Sequence, residues 1–252
     1  MSIVLDEHSW SEKMIEQHSL GKKPFETFTR VSRYYLDSGM SKKETRKIMD
    51  EFLLRCDPTA SIPKWSGVID NAIAVASKYD AVSVKYIPVT DKELERIGTL
   101  SGKQLQRLAF TLLCLGKYWD IISKSKDHWV NSKDSEIMQM ANINTSIKRQ
   151  SAMYSTLNEL GLIRFSRKVD NTNVRVCFME DGEIVLKISD FRNLGYQYLK
   201  YLGEPYFSCA CCGIVTRYND PKNRRKQKYC KSCATEIAIQ QRIDSVMRSY
   251  HS

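Results

Sequence analysis

No apolar run in this sequence is long enough to cross a bilayer. The longest, Leu108 to Leu115, spans 8 residues, where a spanning helix needs about 20. The opening MSIVLDEHSW has no basic stretch followed by an apolar one, so no secretory leader is expected. These absences lead us to expect a soluble, cytoplasmic protein without a membrane partner. The marks of common catalytic sites are missing as well. There is no glycine-rich phosphate loop, no dinucleotide fingerprint and no His-Glu-x-x-His pair. Histidine is scarce, and His8, His18, His128 and His251 are scattered. No carboxylate cluster resembles a two-metal nuclease site, so an enzymatic reading finds little support. Low-complexity segments and internal repeats are absent too.

Cysteine, by contrast, is plentiful and patterned. Cys209-x-x-Cys212 is followed after 17 residues by Cys230-x-x-Cys233. Two such knuckles at this separation are the ligand set of a structural zinc ribbon. A two-residue gap lets one tight turn present both sulfurs to a single ion, and Gly213 supplies the positive φ such a turn needs. One Zn2+ per chain is the expectation. Two disulfides would suit a secreted protein, which this does not resemble. Four thiolates close the coordination shell, so the site reads as scaffold and not as catalyst. Cys211 reads as a spare thiol; Cys56, Cys114 and Cys177 read as reduced core residues.

The net charge is +10, and it is uneven. Residues 1–80 hold 12 Lys/Arg against 12 Asp/Glu, whereas residues 209–252 hold 9 against 3 and residues 132–179 hold 7 against 4. The positive field lies at the back of the chain, where it can meet a polyanion.

Periodicity places helices on Phe25 to Tyr35, on a stretch capped by the Ser41-x-x-Glu44 box, and on Ser66 to Lys78. Val82 to Val89 reads as extended, Thr90-x-x-Glu93 as a second capping box, and Lys103 to Trp119 as an amphipathic helix. Asp134 to Ala141 is a short helix, Asn142 to Asn144 a turn, and Thr145 or Ser146 caps a helix that Gly161 closes. Two strands follow, 162–167 and 174–178, joined by a turn at 170–173. A further strand is expected at Ile184 to Ile188. Phe191 to Leu202 is ambiguous between helix and strand, and is expected to dock the ribbon onto the hairpin. Residues Ala234 to Arg248 have helical composition.

Helix, turn, helix and then a hairpin is the order of a winged helix-turn-helix. The phrase Leu157-Asn-Glu-Leu160-Gly161-Leu162-Ile163 resembles the end of the recognition helix and start of the wing in such domains. The expected fold is mainly α with small β. It comprises a helical module at 1–80, a winged helix-turn-helix with its leading helices at 81–190, and a four-cysteine zinc ribbon with a C-terminal helix at 191–252. Ile147, Gln150, Met153/Tyr154, Leu157 and Leu160 are expected on the inner side of the recognition helix. Lys148 and Arg149 start that helix, with Asn142 and Asn144 beside them, positioned for base edges. Arg164, Arg167, Lys168 and Arg175 are offered by the wing to phosphate. Arg217, Tyr218, Arg224, Arg225 and Lys226 lie in the basic loop between the knuckles and suit a phosphate backbone or a stacked base.

Together with Leu105-Gln-Arg-Leu-Ala-Phe-Thr-Leu-Leu113, Asn142-Ile-Asn-Thr-Ser-Ile-Lys-Arg-Gln150 and the terminal Cys-x-x-Cys pair, these features resemble one group. It comprises the uncharacterised winged-helix plus zinc-ribbon proteins of Gram-positive phages and integrative elements. The resemblance implies a bacterial mobile-element protein, acting on double-stranded DNA in replication or regulation. It supplies neither active site nor target. A protein-interaction module that inhibits or adapts a host nucleoprotein complex is the alternative, with the neutral helical front as its binding face.

Overall fold

The computed structural model describes residues 3–166, 173–220 and 227–250, without the side chains of 249 and 250. The fold is mainly helical, with small antiparallel sheets. The chain divides into two compact units, Met1–Tyr86 and Ile87–Ser252.

Among the described residues the first unit holds four helices: α1 (Glu7–Glu16), α2 (Pro24–Asp37), α3 (Lys42–Cys56) and α4 (Ile62–Ala76). Their starts are written in the sequence. Asp6 caps α1 by accepting from the Ser9 N–H at 3.0 Å. The Ser41–Glu44 box opens α3 reciprocally, the Ser41 N–H donating to the Glu44 carboxylate at 2.8 Å. Pro24 and Pro63 sit in first turns, where their missing N–H costs nothing; α4 therefore starts ahead of the expected Ser66. Phe28, Val31, Met49, Phe52, Leu53, Ile69, Ala72 and Ile73 fill the core. Phe28 stands edge-on to Phe52 and to Trp65, with ring centroids 6.2 and 5.9 Å away.

No periodicity announces α1, because polar groups anchor it. Glu7 is 3 % exposed and accepts from Arg30 Nε at 3.2 Å and from Arg33 Nη1. Arg30 also lies 5.1 Å from the centroid of Trp10. The same carboxylate receives the Val82 N–H at 3.4 Å, and Ser83 bridges Asp6, so the expected extended segment begins as a strap over α1.

The second unit opens with β1 (Ile87–Thr90), α5 (Asp91–Gly98) and α6 (Lys103–Ser123). Helix α6 is its spine: Leu108, Phe110, Leu112, Leu113 and Leu115 are completely buried. Then come β2 (Trp129–Val130), α7 (Asp134–Met140), α8 (Ile147–Glu159), β3 (Ile163–Phe165), β4 (Val174–Val176) and β5 (Ile184–Ile188). Strands β2, β4 and β3 form an antiparallel sheet in that order. Its inner face carries the buried Val130, Ile163, Val174 and Val176. β5 leaves that sheet and pairs antiparallel with β1, Ile87 opposite Ile188. Glu93 secures this corner at 1 % exposure, accepting from Lys117 Nζ at 2.7 Å and from the Thr90 and Glu180 N–H groups at 2.9 and 3.2 Å.

The ambiguous aromatic segment is helix α9 (Leu194–Tyr201). It packs on α6, not on the hairpin as expected, with Tyr198 5.2 Å from Phe110 between ring centroids. Gly195 lets the start of α9 also press against the end of α7: a Cβ there would lie 2.0 Å from the Ala141 carbonyl oxygen. The hairpin β6 (Tyr206–Ser208) and β7 (Val215–Arg217) and the helix α10 (Lys231–Tyr250) complete the chain.

Three expectations of burial are corrected. Ile147 and Leu160 are 80 % and 52 % exposed, because they stand at the two ends of α8, beyond the elements that cover its middle. Cys177 is exposed, while Cys114 is fully buried and Cys56 half-buried. Among the described residues, no helix is long and apolar enough to cross a membrane.

Candidate functional site

The hairpin β6–β7 carries the first cysteine knuckle at its turn, and the second spans the start of α10, with Cys230 just before it and Cys233 in its first turn. The Sγ atoms of Cys209, Cys212, Cys230 and Cys233 lie within 4.8 Å of one another. A tetrahedral site with metal–sulfur bonds of about 2.3 Å has sulfur–sulfur edges of about 3.8 Å. The Cys212–Cys230 separation is 3.8 Å. The four thiols could hold one metal ion, and Cys209, Cys230 and Cys233 are buried around it.

Backbone geometry supports negative charge there. Gly213 has φ +75° and donates its N–H to the Cys209 carbonyl at 2.9 Å, which closes the knuckle. The Cys230 N–H donates to Cys209 Sγ at 3.2 Å. Burial works to raise the Cys209 thiol, but N–H groups of Cys212, Cys230 and Cys211 outweigh it and bring the value down to about 6. Burial raises Cys212, and hydrogen bonds with Cys230 and Cys212 raise Cys233. Cys211 is exposed and stands outside the group of four.

A second set of groups gathers around α8. Ser146 caps it, accepting from the Arg149 N–H at 3.4 Å. Asn144, Lys148 and Arg149 are exposed beside that cap. Arg164 and Arg175 are exposed on the sheet and face each other across β3 and β4. None of these four cations has an anionic partner among the described residues.

Asn142 departs from its expected place. Its backbone is left-handed at φ +55°, and its side chain turns into the protein. The amide donates to Asn193 Oδ1 at 2.9 Å and accepts from the Tyr196 N–H at 3.1 Å. Arg107 Nη1 holds the Asn142 carbonyl at 2.9 Å. Such a side chain positions the turn before α8 and is spent before any base arrives. Asn193 extends the link, donating to the Val215 carbonyl of β7 at 2.9 Å. Tyr218 is half-buried, its ring 4.6 Å from that of Phe207, so only one ring face remains for stacking. Arg217 is exposed at the end of β7. Arg167, Lys168, Arg224, Arg225 and Lys226 lie outside the described residues.

Sequence reasoning missed Trp129. A two-residue strand has no periodicity to read, and only its pairing with β4 places this indole opposite Arg175. No family model, curated protein or solved structure matches the chain.

Proposed function

We propose that this protein binds double-stranded DNA through a winged helix-turn-helix formed by α6 to β4, with a structural zinc ion in the cysteine cluster. The observation that carries the reading is the order α7, turn, α8, hairpin, with β2 completing the sheet in the order β2-β4-β3. In such a module the N-terminal end of the second helix enters the major groove. Here that end presents Lys148 and Arg149, with Asn144 in the turn before it. A cation free of internal ion pairs loses only hydration when it meets a phosphate or a guanine edge. Arg164 and Arg175 add unneutralised charge nearby. Zinc is the natural ion for four thiolates closed in a tetrahedron, and it would hold the ribbon without taking part in any reaction.

Fluorescence anisotropy against duplex DNA over a series of salt concentrations tests the reading. Lys148→Ala and Arg149→Ala should each weaken binding by about 1–3 kcal/mol and relax preference at one base position. Unchanged affinity and selectivity in both variants would remove α8 as a reader. A second reading rests on the first unit, a compact body with 12 basic and 12 acidic residues in its first 80. A charge-balanced surface of that kind suits a protein partner, and the chain would then inhibit or adapt a nucleoprotein complex. Tight binding to a protein with negligible duplex affinity would select it.

A further inference from the structure

The outward face of the β2-β4-β3 sheet carries a row of three residues in direct cross-strand register. Trp129 of β2 stands opposite Arg175 of β4, and Arg175 stands opposite Arg164 of β3. Strands are spaced by about 4.8 Å, so the row is about 10 Å long. Two features of it are costly for a sheet that only has to fold. Like charges directly opposite each other on antiparallel strands are destabilising, and no anion among the described residues relieves this pair. Trp129 is 36 % exposed and has no ring partner among the described residues, whereas Trp10 is covered by Arg30 and Trp65 packs on Phe28. On the inner face of the same strands Val130, Ile163, Val174 and Val176 are buried, and only Phe165, at the end of β3, is exposed among the described residues; none of them carries charge.

From this row we infer a second nucleic-acid site, one that takes a single-stranded segment. Arg175 and Arg164 neutralise neighbouring phosphates, and the Trp129 indole stacks on an unpaired base. Arginine pairs without a counter-charge call for a polyanion, and an exposed indole at the end of the row calls for a π-face. A duplex offers phosphates but keeps its bases stacked on each other, so only an unpaired strand satisfies both. The inference deepens the DNA-binding reading, because α8 would grip duplex while the sheet takes a strand that leaves it. The substrate class is then a junction between duplex and single strand.

The test uses the full-length, metal-loaded protein and two probes, a short blunt duplex and the same duplex with an oligothymidylate arm of roughly ten nucleotides. The armed probe should bind roughly tenfold tighter or more. Trp129→Leu should reduce that ratio to about one, and Trp129→Phe, which keeps an aromatic face, should retain most of it. Arg164→Gln should lower the ratio and raise the melting temperature of the free protein in low salt by about 1–3 °C, as the repulsion is relieved. Equal affinity for the two probes overturns the inference, as does a leucine variant that performs like phenylalanine. A lower melting temperature for Arg164→Gln would mark a structural arginine and do the same. Failure of the α8 reading looks different: the blunt duplex would not bind, while the arm still would.

Discussion

Gly195 offers the sharpest test of how the second unit is held together. It is in the first turn of α9, and a Cβ built there meets the Ala141 oxygen at 2.0 Å and the Ala141 carbonyl carbon at 2.6 Å. Both are backbone atoms, so no side-chain rotation can relieve them. The seam must open by about 1 Å or more to restore normal packing. Three hydrogen bonds cross or brace that seam: Tyr196 N–H to Asn142, Asn142 to Asn193, and Asn193 to Val215. Overpacking of this kind costs about 1–3 kcal/mol, and each weakened hydrogen bond adds about 0.5–1.5 kcal/mol. Against this, alanine gains at most about 1 kcal/mol of helix propensity. Gly195→Ala should therefore destabilise the second unit by about 2–6 kcal/mol. Gly67, inside α4, has nothing within 4 Å of the same added atom. Gly67→Ala should stabilise the first unit by about 0.5–1 kcal/mol. Urea unfolding followed by circular dichroism measures both, and hydrogen exchange at the Tyr196 amide reports α9 directly. If the two variants shift stability in the same direction, the close approach of α9 to Ala141 is not what the structure holds it to be.

The metal site and the buried charges give two more expectations. Cys212→Ser should abolish stoichiometric zinc in metal analysis while Cys211→Ser keeps one ion per chain; equal loss in both would break the ligand assignment. Glu7→Ala removes the carboxylate that buried Arg33 pairs with and leaves Arg30 only the more distant Glu26, at 3.7 Å, and should cost about 3–5 kcal/mol. Glu51→Ala, which removes an exposed pair with Arg55 at 3.2 Å, should stay within about 0.5 kcal/mol in the same unfolding assay.

Local signals carried much of this architecture into the sequence. The boxes Ser41–Glu44 and Thr90–Glu93 are both formed as their spacing foretells, and the four cysteines meet as the paired knuckles require. What escaped was set by distant partners. Helix α1 carries no clear apolar stripe, since its anchor is a carboxylate whose partners are 23 and 26 residues away. Spacing placed Ile147 on the inner side of α8, but spacing does not say where the covering elements stop. Asn142 looked like a base reader because an amide in a turn before a helix is chemically suited to one. Its true partners, Asn193 and Tyr196, lie more than 50 residues downstream. Trp129 gained its meaning only from the register of β2 against β4.

The link from Asn142 through Asn193 to Val215 also bears on how the chain can be divided. The expected domain boundary falls at 190/191, and a cut there would look harmless on paper. It would sever both partners of the Asn142 side chain and strip the cover from α6, where Tyr198 and Phe191 lie against Phe110 and Tyr118. Two asparagines in left-handed backbone thus join the turn ahead of α8 to the strand that leads out of the first knuckle. Within the second unit the cysteine-bearing hairpin is a buttress of α6 and α9 and not a tail appended to them.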